Sequence, residues 1–151
     1  MLIYSERLLP GPWPFITTAL VIPASLLVFL PINTTLGVIC AAILYTACVV
    51  LLIISSPRIE VTESLLIAGR ARLPLPNVGE ATGFTGTEAT QERGPRLDAR
   101  AWLLIRGWIS PVVRVNVDDA DDPTPYWLVS TRHPKELIAA LKKARSGGTN
   151  T

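Results

Sequence analysis

Residues 13–55 read WPFITTALVIPASLLVFLPINTTLGVICAAILYTACVVLLIIS, and this apolar stretch decides the fold. It contains no Asp, Glu, Lys, Arg or His, although the 151-residue chain carries 14 basic and 12 acidic residues. Two segments, about 13–30 and about 35–55, reach roughly 27 Å and roughly 31 Å at a helical rise of ~1.5 Å per residue, close to the ~30 Å of a bilayer's hydrocarbon core. We therefore predict a membrane-spanning helix in each segment.

The two predicted helices are joined by a short connection, residues 31–34 (PINT). A connection of this length can only form a helical hairpin, so both ends of the pair lie on one side of the membrane. Arg7 precedes the first helix and Arg58 follows the second, whereas the connection carries no positive charge. The positive-inside rule then predicts a plasma-membrane protein with two spans and both termini in the cytoplasm.

A cleaved signal peptide is the alternative interpretation of the first apolar segment. It is disfavoured because Glu6 offsets the charge of Arg7 and because no small-x-small cleavage motif precedes Pro31. A second apolar segment also follows at once, so an anchor remains the preferred interpretation.

Three residue patterns predict details of this anchor. Trp13 has the amphipathic ring typical of a membrane-interface anchor. Pro23 lacks a backbone N–H and predicts a kink in the first helix. Gly37 and Ala41, four residues apart, permit close approach of a neighbouring helix. That neighbour is either the first helix of the same chain or, in a homo-oligomer, a second copy.

After Arg58 the apolar residues alternate with polar ones, which is typical of strands. Seven short strands are predicted, near residues 59–61, 65–67, 70–73, 77–84, 101–105, 112–117 and 126–130. A helix at about 134–145 follows, with Pro134 suited to its first position and Leu137, Ile138 and Leu141 forming its apolar stripe. Residues 85–100 have almost no apolar side chain and predict a mobile loop, and the tail 146–151 is predicted to be flexible.

The predicted fold class is therefore an α+β membrane protein with two parts. Residues 1–57 form an N-terminal segment and a transmembrane helical hairpin, and residues 58–145 form a small antiparallel β-barrel or sandwich. The C-terminal helix is expected to cover an open end of that barrel, where the core would otherwise meet water. A helix packed on an open sheet is the alternative.

Four sequence motifs resemble a known family: YSERL at 4–8, GRARLP at 69–74, DARAWLL at 98–104 and DPTPYWLVSTR at 122–132. They are similar to the actinobacterial membrane-protein family called domain of unknown function 3093, and the likeness covers nearly the whole chain. The resemblance implies the architecture but transfers no catalytic residue. The element order also resembles the pleckstrin-homology-like (PH-like) superfold in its bacterial membrane-tethered form.

No pattern in the sequence predicts a catalytic, metal or cofactor site. His133, the only histidine, sits at the predicted helix start without a nucleophile nearby, and Cys40 and Cys48 lie at membrane depth. The acidic run 118–122 lacks the spacing and central glycine of a calcium loop, so a solvated turn is the preferred interpretation. The net charge of +2 is too balanced to indicate nucleic acid as a partner.

Two sets of residues are candidates for binding. Arg58, Arg70 and Arg72 are candidates for contact with membrane lipids, because cytoplasmic leaflets are anionic. Trp108, Tyr126 and Trp127 are candidates for contact with a protein partner in or at the membrane, and strand alternation predicts that one residue of the Tyr126–Trp127 pair is exposed.

The function predicted from these features is a non-enzymatic, membrane-anchored interaction module. It is expected to serve as an accessory subunit of a larger membrane protein complex. The alternative is an anionic-lipid-binding or lipid-sensing PH-like domain at the cytoplasmic leaflet.

Overall fold

The structure, a computed structural model, describes residues 1–147. Residues 148–151, most of the predicted flexible tail, lie outside the described residues. The described part contains strands and helices in a mixed α+β arrangement, which confirms the α+β part of the predicted class. The strands are β1 Leu2–Arg7, β2 Arg58–Thr62, β3 Leu65–Ala68, β4 Ala71–Pro74, β5 Val78–Phe84, β6 Trp102–Leu104, β7 Val112–Val117 and β8 Tyr126–Ser130. The helices are α1 Pro12–Thr18, α2 Val21–Phe29, α3 Thr34–Ile54, α4 Gly86–Arg93 and α5 Pro134–Gly147.

The strands form two four-stranded sheets, ordered β1-β2-β3-β4 and β5-β7-β8-β6. The first sheet is antiparallel throughout, whereas β6 joins β8 in parallel at the edge of the second. Within residues 1–147 no strand pairing connects the two sheets, so the expected barrel is not closed. Side chains from both sheets nevertheless share one core, which includes Ile59, Leu66, Val113 and Trp127.

Helix α5 packs its apolar stripe into the same core. Leu137, Ala140, Leu141 and Ala144 are buried at the spacing of one helix face. The helix confirms the predicted span and continues to Gly147, two residues beyond the expected end.

Strand β1 was not predicted, although it changes how the chain divides. It pairs antiparallel with β2, fifty residues further along, with Glu6 opposite Ile59 and Arg7 opposite Arg58. Met1–Leu8 therefore form one compact unit with Pro57 and the residues after it, and Leu9–Ser56 form a second unit. The expected boundary had grouped residues 1–8 with the helices. In sequence, the two apolar helices therefore lie between the first two strands of a sheet.

The helical unit contains the two helices that are long and apolar enough to cross a membrane. These are Pro12–Phe29, with mean hydropathy 1.7, and Thr34–Ile54, with mean hydropathy 2.8. The first is interrupted at Ala19–Leu20, where the Leu20 N–H bonds the Thr17 carbonyl in a tighter turn. The cause is Pro23, whose ring clashes with the carbonyl four residues earlier, that of Ala19. The predicted kink is therefore found as a break one turn before the proline.

Helices α2 and α3 pack through small residues. A Cβ on Gly37 would lie 3.2 Å from the Phe29 Cβ, so α2 occupies the face that Gly37 presents. Ala41, one turn on, is buried as well. The close approach predicted for Gly37 and Ala41 thus takes place within the chain, and a homo-oligomer through these residues stays a prediction.

Residues 85–100 are not the predicted mobile loop, because they include helix α4. Its sequence, GTEATQER, has no apolar stripe, and the helix is held by two buried residues, Ala89 and Glu92. Tertiary contacts have overridden a composition that favours an irregular segment.

Candidate functional site

Four arginines gather at one corner of the first sheet, and we call Arg7, Arg58, Arg70 and Arg72 the arginine corner. Arg7 and Arg58 are directly opposed across β1 and β2. Directly opposed Cα atoms in an antiparallel pair are about 5 Å apart, so two guanidinium groups start from neighbouring backbone positions.

Alternation places both side chains on the outer face of the sheet. Leu8 and Ile59, the next residues along each strand, are fully buried in the core, so Arg7 and Arg58 point the other way. Arg72 of β4 lies opposite Ile67 of β3 and shares that outer face. All four arginines are exposed, including the three that the sequence offered as lipid contacts.

The β3–β4 turn brings Arg70 to the same corner. Gly69 has a φ of +63°, which favours glycine, and its N–H donates to the Arg58 carbonyl over 2.8 Å. This bond fixes the turn against the first residue of β2, and Arg70 follows directly. The corner therefore combines residues from three separate stretches of sequence.

A second feature, the Glu6 cluster, consists of Tyr4, Glu6, Thr131 and His133. Glu6 points from β1 into the protein and is almost fully buried. Its carboxylate accepts hydrogen bonds from the Tyr4 hydroxyl (2.9 Å), the Thr131 hydroxyl and the Arg132 backbone N–H (2.9 Å). The His133 Nδ1 lies 3.9 Å from Glu6 Oε1.

The Glu6 cluster is built to hold structure together. Burial raises the pKa of Tyr4 well above its usual range, and the neighbouring Glu6 carboxylate raises it further, so the phenol stays a hydrogen-bond donor. The Thr131 hydroxyl is fully buried and also accepts the His133 N–H, so it cannot reach a substrate. The cluster instead ties β1 to the segment between β8 and α5.

Helix α4 is attached to the second sheet by a third cluster of polar side chains, centred on the buried Glu92. Its carboxylate lies 3.4 Å from the Arg114 guanidinium and 3.5 Å from that of Arg96. Arg114 also lies over the Tyr126 ring, 3.9 Å from its centroid. These contacts explain why a polar helix can cover the outer side of the second sheet.

The same contacts contradict the expected exposure of the Tyr126–Trp127 pair. The two side chains do face opposite sides, but Tyr126 is 2% and Trp127 5% exposed. Strand β8 is central in its sheet and is covered on both faces, so alternation does not produce an exposed position there. Trp127 instead packs on Trp102, with ring centroids 4.7 Å apart.

The other aromatic candidates differ from this pair. Trp108 is half-buried, and its buried indole N–H has no hydrogen-bond partner within residues 1–147. Trp13, the predicted interface anchor, is 70% exposed at the start of α1. Both therefore present surface to the surroundings.

The acidic run 118–122 serves as a turn. Asp119 accepts hydrogen bonds from the Asn77 side chain and the Asp121 N–H, and Asp122 accepts one from the Thr124 N–H. The Thr124 bonds lower the pKa of Asp122. In the described part of the chain no three His, Cys, Asp or Glu residues are grouped as metal ligands would be.

Sequence reasoning missed two aspects of these sites. It assigned Arg7 to membrane topology alone, and it did not connect Glu6 with Thr131. Residues 2–7 (LIYSER) do not alternate between apolar and polar side chains, so the sequence carried only a weak signal for this strand and none for its partner.

The fold and sites define an α+β protein in which two apolar helices interrupt a sheet that carries an arginine corner. The chain belongs to the family described as protein of unknown function (DUF3093), which matches residues 3–141. This confirms the resemblance seen in the motifs. Comparison with curated proteins and with solved structures gave no match.

Proposed function

We propose that the protein is a non-enzymatic, membrane-anchored interaction module whose two-sheet domain lies in the cytoplasm. The observation that carries the proposal is the exposure of the two apolar helices, since only 6% and 11% of their most apolar windows are buried. A core helix of a soluble protein would be mostly buried. Lipid is the environment that such exposed apolar surface fits.

The pairing of β1 with β2 supports the proposed topology. These strands flank the two helices in sequence and are hydrogen-bonded to each other, which supports the proposal that both ends of the helical pair lie on the same side of a membrane. Arg7 and Arg58, which flank the helical pair in sequence, favour the cytoplasmic side.

A PH-like ancestry for the domain is a further part of the proposal. Two mainly antiparallel sheets with a C-terminal helix packed into their common core support it. The parallel β6–β8 pair and the open arrangement of the sheets are departures from a closed barrel.

An interaction role fits the surfaces that the domain leaves available. Trp108 and the arginine corner are accessible, whereas the polar groups of the Glu6 cluster are mostly used internally. We propose that the module docks a protein partner in or at the membrane, as an accessory subunit of a larger complex.

Affinity capture tests this proposal. The tagged full chain is purified from native membranes in mild detergent, beside a Trp108→Ala variant. We expect a stoichiometric partner with the wild-type chain and less of it with the variant. Recovery of no stoichiometric partner would count against the interaction role. Reporter fusions at the two termini that gave opposite faces would overturn the topology.

A second candidate function is recognition of anionic lipid. It is favoured by the exposure of Arg58, Arg70 and Arg72, for none of which the described chain supplies an acidic partner.

A further inference from the structure

We propose that helix α4 is a detachable cover over the outer face of the second sheet, and that the uncovered face docks an amphipathic helix of a protein partner. The inference rests on the proposed interaction role, to which it adds a docking surface and a control over that surface. The surface lies within the sheet unit and consists of Val112, Tyr126 and Leu128, with Phe84 packed against them.

The first argument is that little apolar surface holds α4 in place. Of its eight residues only Ala89 and Glu92 are buried, and Ala89 contributes a single methyl group to the apolar cluster on this face. The side chains of Thr87, Glu88 and Thr90 are exposed. Helices in proteins owe most of their stability to the packing of an apolar stripe, which α4 lacks. Local opening of α4 should therefore cost less free energy than unfolding of the core.

The second argument is that the other side-chain contacts of α4 with the sheet are ionic. The Glu92 carboxylate lies 3.4 Å from the Arg114 guanidinium and 3.5 Å from that of Arg96, and the two arginine side chains are 37% and 58% exposed, respectively. Opening breaks these ion pairs but returns the buried carboxylate to water, and its hydration offsets much of the loss. The net cost of opening is therefore small.

The third argument concerns the two ends of the segment. At its start Gly86 has a φ of +55°, and a Cβ placed there would meet no other heavy atom within 4 Å. A glycine in open space can change its backbone conformation at little cost. After the helix, the Tyr126 hydroxyl accepts the Asp98 N–H over 2.8 Å and fixes the chain to β8. Helix α4 thus lies between an adaptable start and a fixed end, as a hinged cover requires.

The chemistry of the covered face identifies the occupant. The face combines apolar side chains with the Arg114 guanidinium, which lies 3.9 Å from the centroid of the Tyr126 ring. Helix α4 meets it with an apolar residue and an acid three positions apart, Ala89 and Glu92, which lie on one side of a helix. A partner helix with a larger apolar residue and the same acid would bury more apolar surface and keep the charge pair. Such a helix would compete with α4 for the face.

Hydrogen exchange of the full chain in mild detergent, read by mass spectrometry, tests the opening. We expect the amides of α4 to exchange faster than those of β7 and β8. Glu92→Gln should accelerate exchange in α4 roughly tenfold or more and leave the two strands unchanged, because the closed helix then buries a side chain that no longer matches the arginines. The matched control, Glu88→Gln, removes the same charge from the exposed side of α4 and should have little effect.

Two results would overturn the cover. One is equal acceleration of α4 and of both strands in Glu92→Gln, because α4 would then open only when the whole domain unfolds. The other is an equal effect of Glu92→Gln and Glu88→Gln on the α4 amides, because the buried ion pairs would then have no part in closing it.

A variant that favours the closed state gives the opposite test. Thr87→Ala/Thr90→Ala raises helix propensity at two exposed positions, so it should slow exchange in α4. Binding is measured with a fluorescent amphipathic peptide that carries one glutamate beside its leucine stripe, on the full chain in phosphatidylcholine nanodiscs, with empty nanodiscs subtracted. We expect Glu92→Gln to bind the peptide about fivefold or more tightly than wild type, and the threonine variant to bind it more weakly, because affinity follows the open fraction. Equal affinity for all three proteins would overturn the docking face.

Further outcomes separate this inference from the proposed function. If α4 opens alone and the peptide binds, but affinity capture recovers no stoichiometric partner, the interaction role is contradicted and the cover is supported. If a partner is captured equally by wild type, Glu92→Gln and the threonine variant, the cover is contradicted and the interaction role is supported. Peptide binding that follows the nanodisc lipid alone, or a dimer that forms on opening without binding the peptide, would show that a partner helix is not the occupant.

Discussion

The two units of this protein differ in the exposure of their large apolar side chains, which are mostly buried in the sheet unit and mostly exposed in the helical unit. In the sheet unit, leucines such as Leu66 and Leu128 are at most 1% exposed and pack among other apolar side chains. In the helical unit most large apolar side chains point outward, and small residues such as Gly37 fill the helix contact. The contrast fits the proposed membrane anchor, because the hydrophobic effect drives burial of apolar side chains only where water is the alternative.

Truncating a leucine in each unit tests this contrast most strongly. Leu128→Ala leaves a cavity beside Val112 and Tyr126 and should lower the free energy of unfolding by about 2–5 kcal/mol. Leu27→Ala, at a position 76% exposed in α2, should change it by no more than about 0.5 kcal/mol. Tryptophan fluorescence during denaturation of the full chain in detergent measures both. Equal losses would show that the helical unit has a buried core of its own.

Introducing a charge at matched exposure is the next test. Leu44 of α3 and Leu103 of β6 are 46% and 42% exposed, yet we expect opposite consequences for arginine there. Leu44→Arg should oppose membrane insertion by about 2.5–3.5 kcal/mol, whereas Leu103→Arg should be nearly neutral. The membrane-bound fraction after high-speed sedimentation reports the difference. If both variants sediment like wild type, the helices do not depend on lipid.

The Glu6 cluster tests how firmly β1 is held to the sheet unit. Glu6→Ala leaves the Tyr4 hydroxyl, the Thr131 hydroxyl and the Arg132 N–H without their acceptor, and should cost about 1–3 kcal/mol. Glu63→Ala removes a carboxylate that pairs with the exposed N-terminal amine, and should cost little. Hydrogen exchange at the β1 amides should accelerate in the first variant only. Unchanged exchange there would mean that strand pairing alone retains β1.

The smallest expected effect is a pH dependence at Asp98. The Arg100 side chain and backbone bonds hold the pKa of Asp98 below its usual value. A lowered folded-state pKa gives stability that is present above the unfolded pKa of about 4 and is lost as pH falls through the folded value. Asp98→Asn should therefore flatten the acid side of the Tm profile slightly below pH 4. A variant whose Tm profile is identical to that of the wild type would contradict this contribution of Asp98.

Local patterns predicted the elements whose signal lies within one segment. The charge-free stretch predicted the two helices and Pro23 predicted an interruption of the first. Alternation, together with short apolar runs bounded by turn residues, predicted β2 to β8. Helix α5 followed from its apolar stripe and its proline at the start.

The features that were missed depend on contacts distant in sequence. Strand β1 can be recognised only from its pairing with β2. The burial of Tyr126 likewise depends on helix α4, which the Glu92–Arg114 pair holds in place. Helix α4 itself has too few apolar residues to be distinguished from a loop by composition. The arginine corner shares this dependence, since the β1–β2 register alone brings Arg7 to Arg58.

Because β1 and β2 flank the helical pair, the order of synthesis constrains how the sheet is completed. Arg7 leaves the ribosome 51 residues ahead of its partner Arg58. At about 5–20 residues per second, the first strand waits roughly 3–10 s for its neighbour. During that interval the backbone of β1 has no partner strand. The pairing of β1 with β2 can therefore form only after both helices between them have been synthesised.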